Sequence, residues 1–403
     1  MDQRSPLLDL SGLPAMDTHC HSFPNAPSEL TSDLLRDSIS VSLRSVTSAL
    51  NETIMLNRIA IRELANHLGC NTTFDSVVEA RNARSVQDYT AYIGDRFGTQ
   101  TFSGLLFDPG FPAAPMIDGR PFASLVPIPI WEGYRIERFV PASGSFHGLA
   151  NVHAAQPFNS VLEEFEAALD FEASSPGFTF FKSIIAYRTG LSIRIVEHHE
   201  ASSAWENHRV YGDTYEKPIR DYLFAITCRK AQQHGVPLQL HTGHTSHVNT
   251  WPNVNPILLT PILNSLPDIA RTRIVLVHGG YPYCLEAGYL TSVYPNVWCN
   301  LSLMIPWASV GIARRIEETL ESAPTSKLMY GSDGINIPEM NWLGALVGRR
   351  GLGRALTTMA QNGLLSIIDT EEVAADIHFR TAEAVLEGVW KGGRRGGYPS
   401  VYP

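Results

Sequence analysis

The chain has 403 residues, 44% of them hydrophobic and 18% charged, with a formal net charge of −9. Such a composition suits a globular protein with ample material for a core. The acidic balance excludes a general nucleic-acid or anionic-membrane binder, which needs a basic surface.

No apolar run approaches the roughly 20 residues of a membrane span. Met1 to Leu10 carries Asp2, Arg4 and Asp9 in place of a signal-peptide core. The five cysteines are scattered and form no CxxC pair, so a reduced, cytoplasmic setting is expected. Length alone leaves one large barrel or two ordinary domains open.

The first informative stretch is Met16-Asp17-Thr18-His19-Cys20-His21, behind the apolar segment Leu8 to Ala15. Side chains alternate along a strand, so His19 and His21 project to one side and their neutral imidazoles can share a metal ion. Ser28 to Leu68 reads as helical, with Ile54, Leu56, Ile59, Ile61 and Leu64 on an apolar face. It is expected to be an insertion covering one mouth of the fold, ended by the turn Gly69-Cys70-Asn71. A second helical patch, Phe74 to Phe97, precedes a strand over Thr101 to Asp108. Pro109 to Pro129 is expected as a loop, too long for a mere connector, part of which lines a pocket.

Tyr134 to Val140 is the next predicted strand, with Arg135 and Glu137 near its start, and Asn159 to Leu169 has helical spacing. Phe178 to Tyr187 is an apolar run holding one charge, Lys182, ahead of Arg188. Pro218 to Gln233 is an amphipathic helix with Leu223, Ile226 and Ala231 inward, closed by Gly235. A strand Val236 to His241 and a turn at Thr242-Gly243 follow. The pattern repeats: helix Asn255 to Ser265, strand Arg273 to His278, helix Tyr283 to Tyr294, strand Val297 to Leu303, helix Ala308 to Ser322. Strand Lys327 to Tyr330 then runs into Gly331-Ser332-Asp333-Gly334, with final helices between Asn341 and Arg349 and between Thr370 and Trp390.

Strands alternating with helices imply a parallel sheet with helical crossovers. Runs near residues 16, 105, 137, 182, 239, 276, 300 and 329 fit an α/β fold, a (β/α)8 TIM barrel with a helical insertion (about 25–100) after the first strand. It forms one domain over 1–390, with 391–403 as a tail. In such a barrel the active site lies at the C-terminal strand ends. His19, His21, Lys182, His241, His278 and Asp333 occupy those ends. Each also has an ordinary structural use: Lys182 as an edge lysine reaching water, His278 bonded in a turn, Asp333 capping a helix.

These stretches resemble the amidohydrolase superfamily of metal-dependent hydrolases, and within it the amidohydrolase-2 branch. The nearer likeness is to the domain fused to glutamine-synthetase-like modules in fungal FluG-type and plant nodulin-type proteins. The resembling text is Asp17 to His21, Phe181 to Leu191, Leu238 to Gly243, Val277 to Tyr283, Glu286 to Pro295 and Met329 to Gly334. The resemblance spans about residues 14 to 390, and it implies metal ligation by His19, His21 and His241. Asp333 is implied as ligand and general base, and His278 as a second-metal ligand or transition-state stabiliser. The family usually carries an Asn-Ala pair where this chain reads Arg380-Thr381-Ala382. No glutamine-synthetase-like module follows, so a stand-alone version is expected.

The expected cofactor is a divalent metal, zinc foremost with manganese as the alternative, in one or two ions. A buried Lys182 must pair, lose its proton or be modified. As a carbamate it would bridge two ions, His19, His21 and Asp333 on one and His241 and His278 on the other. As an ammonium it would orient substrate beside a single ion. Tyr187, Arg188 and Tyr281 sit just beyond ligand positions and could hold a substrate ring or carboxylate. His198, His199, Glu200 and Trp205, within 197–213, read as a lid or as a solvated polar loop.

The leading expectation is hydrolysis of a carbon–nitrogen bond in a small molecule. The rivals are a metal-dependent decarboxylase or other carbon–carbon lyase, and a non-catalytic binding or signalling barrel. No nucleic-acid or membrane partner is expected, and self-association into a homo-oligomer is left open.

Overall fold

Eight parallel strands carry the chain around one axis: β1 (Ala15–Cys20), β2 (Phe102–Phe107), β3 (Ile130–Arg135), β4 (Phe178–Ser183), β5 (Leu238–His241), β6 (Ile274–Val277), β7 (Val297–Asn300) and β8 (Leu328–Met329). They pair in sequence order from β1 to β8, every pair parallel. The computed structural model describes residues 8–21, 30–40, 48–97, 102–110, 116–117, 120–121, 128–139, 156–211, 215–244, 248–265, 269 and 271–390.

β4 and β6 are buried almost throughout, as expected of parallel strands covered on both faces. The interior is filled by Met16, Leu106, Phe180, Val275, Val277 and Met329, against Trp131 and Trp298. Two strand glycines make room for it: a Cβ at Gly104 would lie 2.0 Å from the Trp131 ring, and one at Gly133 would lie 2.2 Å from the Phe180 ring. Ala382, Val385 and Leu386 of the last helix (Thr381–Trp390) join this interior, and Arg273 at the foot of β6 donates to the Val385 carbonyl at 2.6 Å. This helix therefore plugs the lower mouth.

The ring closes between β1 and the segment after β8 without a regular ladder. Thr18 N donates to Tyr330 O at 3.1 Å, Asp333 N to His19 O at 2.9 Å and His21 N to Gly334 O at 2.8 Å.

Several expectations need revision. The third strand ends at Arg135, and Ile136–Arg138 is a 3-10 turn; the Val140 end of the predicted strand lies outside the described residues. Pro127 and Pro129 disguised the true start, because proline is tolerated only at a strand's first position or edge, and Pro129 still pairs through its carbonyl to Leu105 N at 3.0 Å. Within Pro109–Pro129 a short antiparallel pair joins 116–117 to 120–121, and much of the rest lies outside the described residues.

The 28–68 segment is broken into Ser32–Ile39, Ser48–Asn51 and Met55–Leu68. Within 197–213, His198–Tyr211 is a helix and not a loop, and it packs against Glu216–His234. The helix after Asp333 runs the length of Pro338–Gln361, through four glycines, because packing on the barrel outweighs their low helix propensity. The expected tail, 391–403, lies outside the described residues. Leu223, Ile226 and Ala231 are buried as the spacing implied.

The insertion is tied to the barrel by a buried ion pair: Arg81 Nε lies 3.0 Å from Glu339 Oε1, the side chains 1% and 2% exposed. Removing one partner strands the other charge, so Arg81→Ala should destabilise the protein by roughly 3–5 kcal/mol in urea unfolding.

A π-helical turn, Asp376–Arg380, places His378 face to face with Tyr330, ring centroids 5.6 Å apart at 3°. Burial, then the charge of Arg349, pushes the His378 pKa from 6.5 to about 3. Between those values the unfolded chain binds a proton that the folded chain refuses, so this residue weakens folding as pH falls through that window. His378→Gln should flatten the drop in unfolding free energy measured between pH about 7 and about 4.5.

Candidate metal centre

β1 delivers His19 and His21 to the upper mouth of the barrel, and the closure segment brings Asp333 to meet them. His21 Nε2 lies 3.2 Å and His19 Nε2 3.4 Å from Asp333 Oδ1, with His278 Nδ1 at 4.0 Å. The ligand atoms of His19, His21 and Asp333 all fall within 4.8 Å of one another. Asp333 holds a positive φ of 53°, a conformation unusual for a residue with a Cβ. It is held there by neighbours: Asp17 accepts from Ser332 N at 2.9 Å and from Ser332 Oγ at 2.5 Å, while Ser332 Oγ accepts from Gly334 N at 2.9 Å.

Each histidine has one ring nitrogen committed away from the centre. Gln239 Nε2 donates to Thr18 O at 2.8 Å, which fixes its amide so that Oε1 accepts from His19 Nδ1 at 2.8 Å. His21 Nδ1 donates to Asp108 O at 2.9 Å, and His241 Nε2 donates to His244 O at 2.9 Å. His278 Nδ1 bonds Ser302 Oγ at 3.1 Å. The opposite nitrogens of His19 and His21 therefore present lone pairs toward Asp333 Oδ1, itself buried and without a hydrogen-bond partner. Lys182 Nζ reaches only the His19 nitrogen, at 3.3 Å, and lone pairs of His21 and Asp333 facing one another with no proton between them are repulsive unless a cation joins them. Burial, reinforced by the charge of Lys182, holds His19 and His241 well below the usual imidazole pKa, and burial with His241 does so for His278. Neutral imidazole is the form that ligates.

The other predicted residues divide. His241 joins the cluster, its ring centroid 4.3 Å from His278 and 4.0 Å from Tyr187. Lys182, 1% exposed, places Nζ 3.3 Å from His19 Nε2. Burial, only partly offset by Asp108, lowers its pKa to about 7. Arg188 is held in the field of Arg220, Glu137 and Glu216; burial first, then Arg220, lowers its pKa to about 10. Tyr281 turns its ring to Arg315, 5.5 Å away, and gives the centre only its backbone carbonyl, which accepts from His244 N at 2.6 Å.

Two charged residues were missed. Asp108 and Arg135 stand at the tops of β2 and β3 and pair at 2.6 Å beside His21 and Lys182. Burial alone would raise the Asp108 pKa, but Arg135 and the neighbouring cations pull it well below the usual carboxylate range. Placing the third strand too late put Arg135 at its start; at its end, the residue would have been counted among the site groups.

An amidohydrolase family model (Amidohydro_2) matches residues 151–387. The chain belongs to the amidohydrolase family. Protein fluG of Emericella nidulans is 31% identical over 248 residues, 57% of this chain but 28% of that protein, so the chain spans only a fraction of that relative. In structure, the protein is similar to a putative metal-dependent hydrolase from Lactobacillus casei, with a TM-score of 0.79 at 24% identity over 96% of this chain and 99% of that one. It is also similar to a uronate isomerase from Thermotoga maritima, with a TM-score of 0.62 at 12% identity over 94% and 98%. These neighbours establish the (β/α)8 barrel. The family makes the chain an enzyme on a metal-dependent hydrolase scaffold. Among the described residues, no helix is long and apolar enough to cross a membrane.

Because Gln239 orients His19, Gln239→Leu should weaken divalent-metal binding by roughly 10–100-fold, measured by competition with a chromogenic chelator.

Proposed function

We propose that this amidohydrolase cleaves a carbon–nitrogen bond of a small molecule, using zinc held by His19, His21, His241 and Asp333, with His278 beside them. The observation that carries the reading is the convergence of the His19 and His21 lone pairs on the orphaned Asp333 Oδ1, which a divalent cation satisfies. When bound, such an ion polarises a carbonyl and lowers the pKa of its water from about 15.7 towards 7.

The chain's own residues supply the rest. Asp333 takes the proton from water and passes it to the leaving nitrogen. His278, kept neutral by burial, donates to the developing oxyanion. Tyr187, tilted against the His241 ring, bounds the substrate side. Lys182, its pKa near neutrality, would be available as a neutral amine to take up carbon dioxide at Nζ with loss of a proton, and that carbamate would supply a further anionic ligand should a second ion bind. The five free cysteines support a reducing, cytoplasmic setting.

The second reading, a non-oxidative decarboxylase, uses the same ligands, with Asp333 protonating the carbon that loses carbon dioxide.

The protein should contain one or two equivalents of zinc or manganese by elemental analysis, and stripping them with chelator should abolish turnover. Full activity without transition metal would defeat both readings. Asp333→Asn should lower kcat by at least about 100-fold with the fold retained. A panel of amides, lactams and aromatic acids separates the two readings by product, amine against carbon dioxide. One fully occupied metal beside unbranched electron density at Lys182 Nζ would remove the carbamate and leave the single-ion form.

A further inference from the structure

Behind the wall of the site, between the tops of β3 and β4 and the helix Glu216–His234, lies a buried charged group the proposed chemistry does not use. Glu137, 4% exposed, follows β3 in the 3-10 turn. Its Oε1 accepts from Ser183 Oγ at 2.9 Å and from Ile184 N at 2.8 Å, and Ser183 Oγ in turn accepts from Ile185 N at 3.2 Å. These three bonds define the turn that leaves β4. Lys182 immediately precedes it, with Nζ on His19, and Tyr187 closes it, with its ring on His241.

The carboxylate is not there for want of an alternative. Its second oxygen, Oε2, is buried without a partner, as are Arg220 Nε and Arg188 Nη1 nearby. Glu137, Ser183 and Arg220 line one cavity with Phe165, Leu223 and Phe224. Arg220 is paired to Glu216 at 2.7 Å, so Glu137 is the remaining anion set against Arg188. A buried carboxylate is costly unless it is paired and bonded, yet here it spends one oxygen wholly on the backbone and hydroxyl at the end of β4.

We propose that Glu137 is a positioning residue of the metal centre, fixing the β4 turn so that Lys182 meets His19 and Tyr187 meets His241. The inference rests on the proposed metal reading, and cobalt as a spectroscopic probe separates the two.

The metal-stripped full-length protein is titrated with Co2+ and followed by visible absorption, with circular dichroism and thermal unfolding alongside. Wild type should bind and show ligand-field bands; if it does not, the metal reading fails. Glu137→Ala should bind Co2+ roughly 10-fold more weakly or worse, with shifted bands, at temperatures where it remains folded. Glu137→Gln keeps an oxygen for Ser183 and Ile184 and should recover most of the affinity and the wild-type band positions. A folded Glu137→Ala with wild-type affinity and spectrum overturns the proposal, even if it is less stable. Should that variant not fold, Ser183→Ala removes the two bonds made by its hydroxyl and keeps the one from Ile184 N, without removing a charge. It should then show a smaller shift in the same direction, and no shift overturns the proposal.

Discussion

The Asp17 carboxylate is the contact on which the barrel and its centre both depend. One of its oxygens receives the Ser332 backbone N–H, the other the Ser332 hydroxyl, across the seam where β1 meets the end of β8. β8 has only two ladder residues, too few to close a barrel by pairing alone. Asp17 substitutes side-chain bonds for the missing ladder and stands two residues before His19 and one turn from Asp333. Burial raises its pKa to about 7, and only the Ser332 and His19 donors work against that. Closure of the fold and convergence of the ligands are thus one event, made by the same few atoms.

The hydrogen bonds behind the ligands follow the same logic. Gln239 reaches from β5 to both the Thr18 carbonyl and His19, and Asn300 from β7 donates to the Thr18 hydroxyl while accepting from Ser302 N at 2.8 Å. Ser302 then bonds His278. The imidazoles are therefore oriented by a ring of polar side chains drawn from strands on every side of the interior, so each ligand's aim depends on the packing of the whole barrel.

Much of this was legible in the sequence because strands in a covered parallel sheet write themselves as apolar runs, and a chemically competent residue at the end of such a run stands out. His19, His21, Lys182, His241, His278 and Asp333 were all found in that way, and the structure brings them together. Arg135 and Asp108 were not found, since prolines hid the start of β3 and an ion pair between strands has no linear spacing. Gln239 and Asp17 were invisible for a different reason: a polar residue inside a strand carries no sign of which neighbour it will meet. Arg188 and Tyr281 show the limit of proximity in sequence, because a few residues beyond Lys182 and His278 the chain has already turned, toward Glu137 and Arg220 in one case and Arg315 in the other.

The helix Thr381–Trp390 sets Ala382, Val385 and Leu386 into the lower end of the barrel interior, against Met16, Val275 and Met329. Among the described residues that floor is sealed by apolar side chains, so His19 and Asp333 are not approached along the barrel axis from below.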